Sequence, residues 1–344
     1  MAYLPFIDGL RAVAIAGVII YHAMPHALPG GFAGVDVFFV ISGFLITRFM
    51  LEEMRSGTFS LRQFFIRRVR RLLPAAAVCF FVVTVISAFV LLPDAYWYFG
   101  RSLLAAVLMY ANIFFYNTGG YFSAPALEKP LLHTWSLSVE DQFYLTWPII
   151  LLVLVWRFRQ RAIFSIALSM LVVSLIYSEI TLERNSEAAF FLLPSRAWEL
   201  LIGVLIALGA HRVKLNAALS SGMALVGAAA IISSFALLSG EGHFPGLGAL
   251  PACAGTALII IANLDQRTML SRLLATRQFV FVGQISYSLY LWHWPLISLL
   301  SYHLERQLPG SSSSGRFASA ISIIYPRTLR HPTNYSCSNL LPRY

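Results

Sequence analysis

The chain has 344 residues, of which 58% are hydrophobic and only 12% charged, against about a quarter charged in an ordinary soluble domain. Together with a mean hydropathy of +0.72, this excludes a soluble globular protein and points to a polytopic α-helical membrane protein. The net charge of +10 sits in short clusters between apolar spans, the pattern of cytoplasmic loops and not of a nucleic-acid surface.

The first apolar segment runs from Asp8 to His22 and carries both Arg11 and His22. Eleven residues at about 100° each bring the two side chains to one helix face, roughly 16 Å apart along the axis. A charged residue in hydrocarbon costs at least about 2.5 kcal/mol on insertion scales. Two ionisable groups on one stripe therefore predict a stripe that faces a polar interior.

Further apolar spans fall at 35–50, 73–92, 139–156, 163–180, 195–210, 216–238, 247–264 and 279–302, the first covering 10–28, with a weaker segment at 98–116. Basic clusters follow four of them: Arg62 to Arg71, Arg157 to Arg161, His211 to Lys214 and Arg267 to Arg277. Alternating these loops with acidic or neutral ones places the N-terminus in the cytoplasm. Both arginine loops, 62–71 and 157–161, belong on the cytoplasmic side, yet three apolar segments separate them. The 98–116 segment, or the 119–133 stretch after it, is therefore expected to be re-entrant or to lie along the surface. The predicted fold is an all-α transmembrane bundle of about nine crossings plus that one helix. The membrane domain covers 1–305, and 306–344 forms a disordered or aberrant Ser-rich tail.

Polar groups mark where chemistry could sit. Asp36, at the start of the second span, reads either as a helix-end cap or as the partner that fixes the tautomer of His22. Arg67, Arg68, Arg70 and Arg71 read as an anchor to anionic headgroups or as a site for a phosphorylated ligand, to which guanidinium forks are suited. Arginine far outnumbers lysine in the chain, a bias that headgroup anchoring does not require. His133, Glu140 and Tyr144 share a helix face. Arg196 and Glu199 are placed to pair with each other. Tyr287, Tyr290 and His293 follow at steps of three, flanked by an interfacial Trp292 and Trp294. The three histidines lie near outer helix ends and can form a cluster. No Walker A loop, dinucleotide-binding glycine motif, nucleophile elbow or H-E-x-x-H motif is present. The three scattered cysteines offer neither a disulfide framework nor zinc spacing.

Arg11-x10-His22, Gly-Val-Asp36-Val-Phe-Phe-Val-Ile-Ser-Gly-Phe-Leu-Ile, Arg-Arg-Val-Arg-Arg-Leu-Leu-Pro, His-Thr-Trp-Ser-Leu-Ser-Val-Glu140-Asp-Gln-Phe-Tyr, Arg196-Ala-Trp-Glu-Leu and Ser-Tyr-Ser-Leu-Tyr-Leu-Trp-His293-Trp-Pro occur in this order over about residues 5–300. The set resembles the membrane domain of acyltransferase family 3, with the bacterial O-antigen and polysaccharide O-acetyltransferases as the nearest branch. The resemblance implies a multi-pass enzyme of the bacterial inner membrane. Its donor would be cytoplasmic acyl-CoA, usually acetyl-CoA, and its acceptor a hydroxyl of an extracytoplasmic carbohydrate such as lipopolysaccharide O-antigen; no metal and no nucleic acid is implied. It carries functional roles to Arg11 and His22 and to the Arg-x-x-Arg pair Arg68 and Arg71, with Arg67 and Arg70 in an overlapping register.

On that reading His22 is the general base, held by Asp36 or Glu140, with Glu140 as the second candidate base and Ser42, Ser136, Ser138 or Tyr144 as possible acyl carriers. The last helix of the family is missing here, and the change of composition after Arg306 reads as a truncation or a frame change. An inactive remnant and a non-enzymatic permease are the two alternatives.

Overall fold

The computed structural model describes residues 3–119, 128–209, 215–239, 243–264 and 268–307. Expectations for the 306–344 tail, for most of the 119–133 stretch and for the 211–214 cluster lie outside them.

Long apolar runs of good helix formers, separated by Gly, Pro, Asn and Ser, give helices and no strand among the described residues. In chain order they are α1 (Pro5–Ala23), α2 (Gly34–Arg55), α3 (Leu61–Val90), α4 (Pro93–Val107), α5 (Ala111–Asn117), α6 (Thr134–Arg157), α7 (Gln160–Arg184), α8 (Ser186–Phe191), α9 (Leu193–Gly209), α10 (Ala217–Leu237), α11 (Gly246–Ala262), α12 (Met269–Leu274), α13 (Arg277–Gln284) and α14 (Ser286–Gln307). Their starts follow ordinary capping chemistry. Ser60 accepts from the Gln63 N–H at the head of α3, Asn216 from the Leu219 N–H at α10 and Thr268 from the Ser271 N–H at α12.

Seven segments are long and apolar enough to cross a membrane: α1, α2 with the short 3₁₀ turn before it, α3, α6, α7, α8 continued by α9, and α10. Two of the nine expected crossings differ from that set. Helix α11 is apolar but has 17 residues. Helix α14 has 22 residues, and its phenols and imidazoles lower its hydropathy. The weak 98–116 segment is not one helix. It breaks at Leu108–Tyr110 into α4 and α5, of 15 and 7 residues, neither of which has the roughly 20 residues a crossing needs.

Helices α1, α2 and α9 form the buried centre, while α3, α7 and α10 turn most of their surface outward. Helix α2 packs most extensively on α9, α10 on α11, α7 on α9 and α1 on α13. Small residues permit the central crossing: a side chain at Gly43 would collide with the Leu200 carbonyl, and one at Gly203 with the Val40 carbonyl. Helix α1 also packs beside α14. This brings Arg11 and Tyr287 to one end of the bundle and His22 and His293 towards the other.

Candidate active site

A cavity of about 120 Å³ opens between α1, α2, α3, α6 and α14. Helix α6 contributes Ser136, Glu140 and Tyr144 to its wall, spaced four residues apart and hence on one helix face. Glu140 is the hub. Its carboxylate accepts from the Ser42 hydroxyl of α2 and from the Tyr144 hydroxyl one turn along. The Arg68 guanidinium reaches within 4.0 Å of the same oxygen and lies 3.0 Å over the Tyr144 ring. Arg71 and Arg11 complete the wall, and Arg11 is 3.7 Å from Asp8.

The four arginines, expected in a loop, lie in the first turns of α3 and separate into two pairs. Arg68 and Arg71 line the cavity. Arg67 turns away to Glu53 at 2.8 Å and onto the Phe49 ring, and Arg70 is exposed. Helical geometry explains the division, because residues three apart share a face while their neighbours point elsewhere.

At the other end the three histidines come together. His293 Nε2 lies 3.2 Å from His22 Nδ1, and the His133 and His293 rings are 5.7 Å apart. His293 Nδ1 is 2.7 Å from the Tyr290 carbonyl. A carbonyl only accepts, so Nδ1 of His293 carries the proton. In a neutral ring Nε2 of His293 then accepts from the facing His22 Nδ1–H. Trp294 packs edge-on against His22 at 4.8 Å, and its indole N–H donates to the Lys129 carbonyl at 2.8 Å. The Lys129 ammonium, in the segment before α6, donates to the Gly119 carbonyl at 2.6 Å, and burial lowers its pKa from the usual lysine range.

Tyr290 stands between the two ends. Its hydroxyl bonds Ser136 at 2.6 Å and donates to the His133 carbonyl at 3.2 Å. Its ring packs against His133 and His293, with centroids 5.6 and 5.2 Å away. Ser136 and Tyr290 line the cavity, whereas the histidines lie behind them.

The structure corrects the expected role of Asp36. Its carboxylate pairs with Arg196 across the α2–α9 contact, while the ring facing His22 is that of His293. Arg196 also holds Glu199 at 3.1 Å, the pairing expected from their spacing. All three side chains are at most 1% exposed, and Phe39, Trp135, Phe190 and Phe244 surround the guanidinium at 5.4 to 5.7 Å. A carboxylate in such an apolar setting needs a full opposite charge beside it, and a guanidinium supplies one where an imidazole at the helix end does not. Glu140, the other expected partner of His22, is engaged by Ser42, Tyr144 and Arg68 at the arginine end. Ser138, a possible acyl carrier, accepts from the Ala111 N–H at 3.1 Å and anchors α5 to α6. Sequence reasoning did not single out Lys129 or Phe38; neither belongs to a charge cluster or a polar stripe. Among the described residues, no group of His, Cys, Asp and Glu side chains is placed to hold a metal ion.

Comparison with known proteins agrees with this architecture. The chain is 33% identical over 324 residues to the O-acetyltransferase OatA of Staphylococcus aureus (strain NCTC 8325 / PS 47), covering 89% of this chain and 53% of that protein. Proteins of the same name from strains COL and MRSA252 match to the same extent. The chain thus spans about half the length of these relatives. No solved structure matches it significantly. The family described as an acyltransferase domain matches residues 4–325, and the chain belongs to this family, acyltransferase family 3.

Proposed function

We propose that this chain transfers an acyl group, acetyl in the first instance, from cytoplasmic acyl-CoA to a carbohydrate hydroxyl on the outer side of the bacterial inner membrane. The O-acetyltransferase relatives support the reaction class, and a cell-envelope glycan such as lipopolysaccharide O-antigen is the acceptor class. The N-terminus and the arginine loops face the cytoplasm.

One observation carries the reading: a single cavity has Arg11, Arg68 and Arg71 on its wall and ends at a tyrosine whose ring lies against His133 and His293. Guanidinium groups suit the phosphates of coenzyme A, and Arg11 stabilises charge along the path. At the far end, His22 removes the proton from the sugar hydroxyl, with His293 holding its ring in place. The sugar oxygen attacks the thioester carbonyl, the carbon–sulfur bond breaks, and the thiolate leaves as coenzyme A once it takes up a proton. Glu140 positions Tyr144 and Arg68 on the donor side. Asp36, Arg196 and Glu199 lock α2 to α9 and thereby fix the cavity wall.

The test supplies acetyl-CoA labelled in the acetyl group to membranes containing the chain and follows label into glycan. Label in an ester released by mild base is the expected result. Membranes with the folded chain and an acceptor glycan that incorporate no label above chain-free membranes overturn the proposal.

A further inference from the structure

The end wall of the cavity has a shape that bears on which acyl group is used, and the argument rests on the acyl-transfer reading above. The cavity follows α2 from Ile46 to Val35, eleven residues and about 16 Å of helix, and α6 from Tyr144 to Ser136, eight residues and about 12 Å. Its polar side chains are concentrated where Arg68, Arg71 and Glu140 sit. Towards the histidines the walls are apolar, and only Ser136 and Tyr290 break them.

Phe38 lines this end. Its ring lies edge-on to Tyr290, with centroids 6.4 Å apart and planes at 71°. Tyr290 is backed by the His133 and His293 rings and fixed by its bonds to Ser136 and the His133 carbonyl. The Tyr290 ring therefore has no room to retreat. The neighbouring Phe39 is engaged against Arg196 at 5.5 Å. An acyl chain pointing from the arginines towards the histidines passes along the Phe38 ring.

We infer that Phe38, braced by Tyr290, is the specificity-determining residue that limits the acyl group to a short chain. A closely packed apolar wall distinguishes ligands by one methylene at about 10- to 200-fold, and the cost of forcing an extra methylene into a packed site is the physical reason. Truncating Phe38 removes the obstacle while leaving the donor-binding arginines in place.

The experiment measures kcat/KM for butanoyl-CoA and acetyl-CoA in the same membrane preparation and takes their ratio. The amount of folded protein cancels in that ratio, so a poorly expressed variant remains readable. Wild type is expected to disfavour butanoyl by at least about tenfold. Phe38→Ala is expected to raise the ratio by about tenfold or more, and Phe38→Leu by a smaller factor in the same direction. A wild-type ratio near one, or ratios in both variants equal to wild type, overturns the inference. So does loss of transfer from both donors in both variants, since an enlarged length stop still passes the longer chain. Absence of transfer from either donor in wild type contradicts instead the acyl-transfer reading on which the inference stands.

Discussion

Arg196 shows how a single side chain sets the terms for its surroundings. It is buried with two carboxylates, Asp36 and Glu199, and ringed by four aromatic side chains. Removing one partner of a buried ion pair leaves an uncompensated charge, at a cost of about 3–5 kcal/mol. Arg196→Ala is therefore expected to lower stability by that amount in thermal unfolding of detergent-solubilised protein. A triple variant with Asp36→Asn, Arg196→Met and Glu199→Gln is expected to recover much of the loss, because no charge remains unpaired. Arg196→Ala within about 1 kcal/mol of wild type would contradict this account. The i,i+3 spacing of Arg196 and Glu199 was legible in the chain itself. The third member was not, because Asp36 lies 160 residues away, and local spacing says nothing about which distant helix a carboxylate will face. The histidine cluster was readable for the opposite reason: three imidazoles near outer helix ends have few other neighbours suited to them.

Among the elements, the crossing of α2 and α9 supports the site most directly, since α2 carries Phe38 and Ser42 and α9 carries Arg196. The two backbones touch at Gly43 and Gly203. Gly43→Ala and Gly203→Ala are each expected to destabilise by about 1–3 kcal/mol through overpacking. Gly222 in α10, where a Cβ meets nothing within 4 Å, is the control. Gly222→Ala is expected to be neutral or to stabilise by up to about 1 kcal/mol, as alanine loses less backbone entropy in a helix. Equal melting temperatures for Gly43→Ala and Gly222→Ala would count against the close approach. Apolar periodicity located the long helices because each must bury or expose a continuous face. It did not foresee the break at Leu108–Tyr110 that makes α4 and α5 two helices. It overestimated the apolarity of α14, which is long because it is packed and not because it is greasy.

On the scale of the whole molecule, the short α4 and α5 resolve a conflict of parity. If neither crosses, α3 and α6 are the only crossings among the described residues between the Arg62–Arg71 and Arg157–Arg161 clusters, and both clusters lie on the cytoplasmic side. In a variant with Cys337→Ser, where Cys79 and Cys253 are buried, Thr58→Cys and Arg159→Cys are expected to react with a membrane-impermeant thiol reagent only from the cytoplasmic face. Ser186→Cys, after α7, is expected to react only from outside. Labelling of Thr58→Cys and Arg159→Cys from opposite faces would show that the 93–117 region crosses.

In the proposed reaction, that topology puts the Arg68–Arg71 end of the cavity beside a cytoplasmic donor and the histidine end beside the acceptor. The helix carrying Arg11 and His22 runs between them, and in the proposed mechanism His22, paired with His293, is the base of the outer end. The most direct measurement is single-turnover transfer of labelled acetyl from acetyl-CoA in membranes, comparing wild type with His22→Ala. The account predicts a fall in transfer rate of about 10²- to 10⁴-fold with donor binding retained at Arg68 and Arg71. Transfer by His22→Ala at the wild-type rate would contradict it.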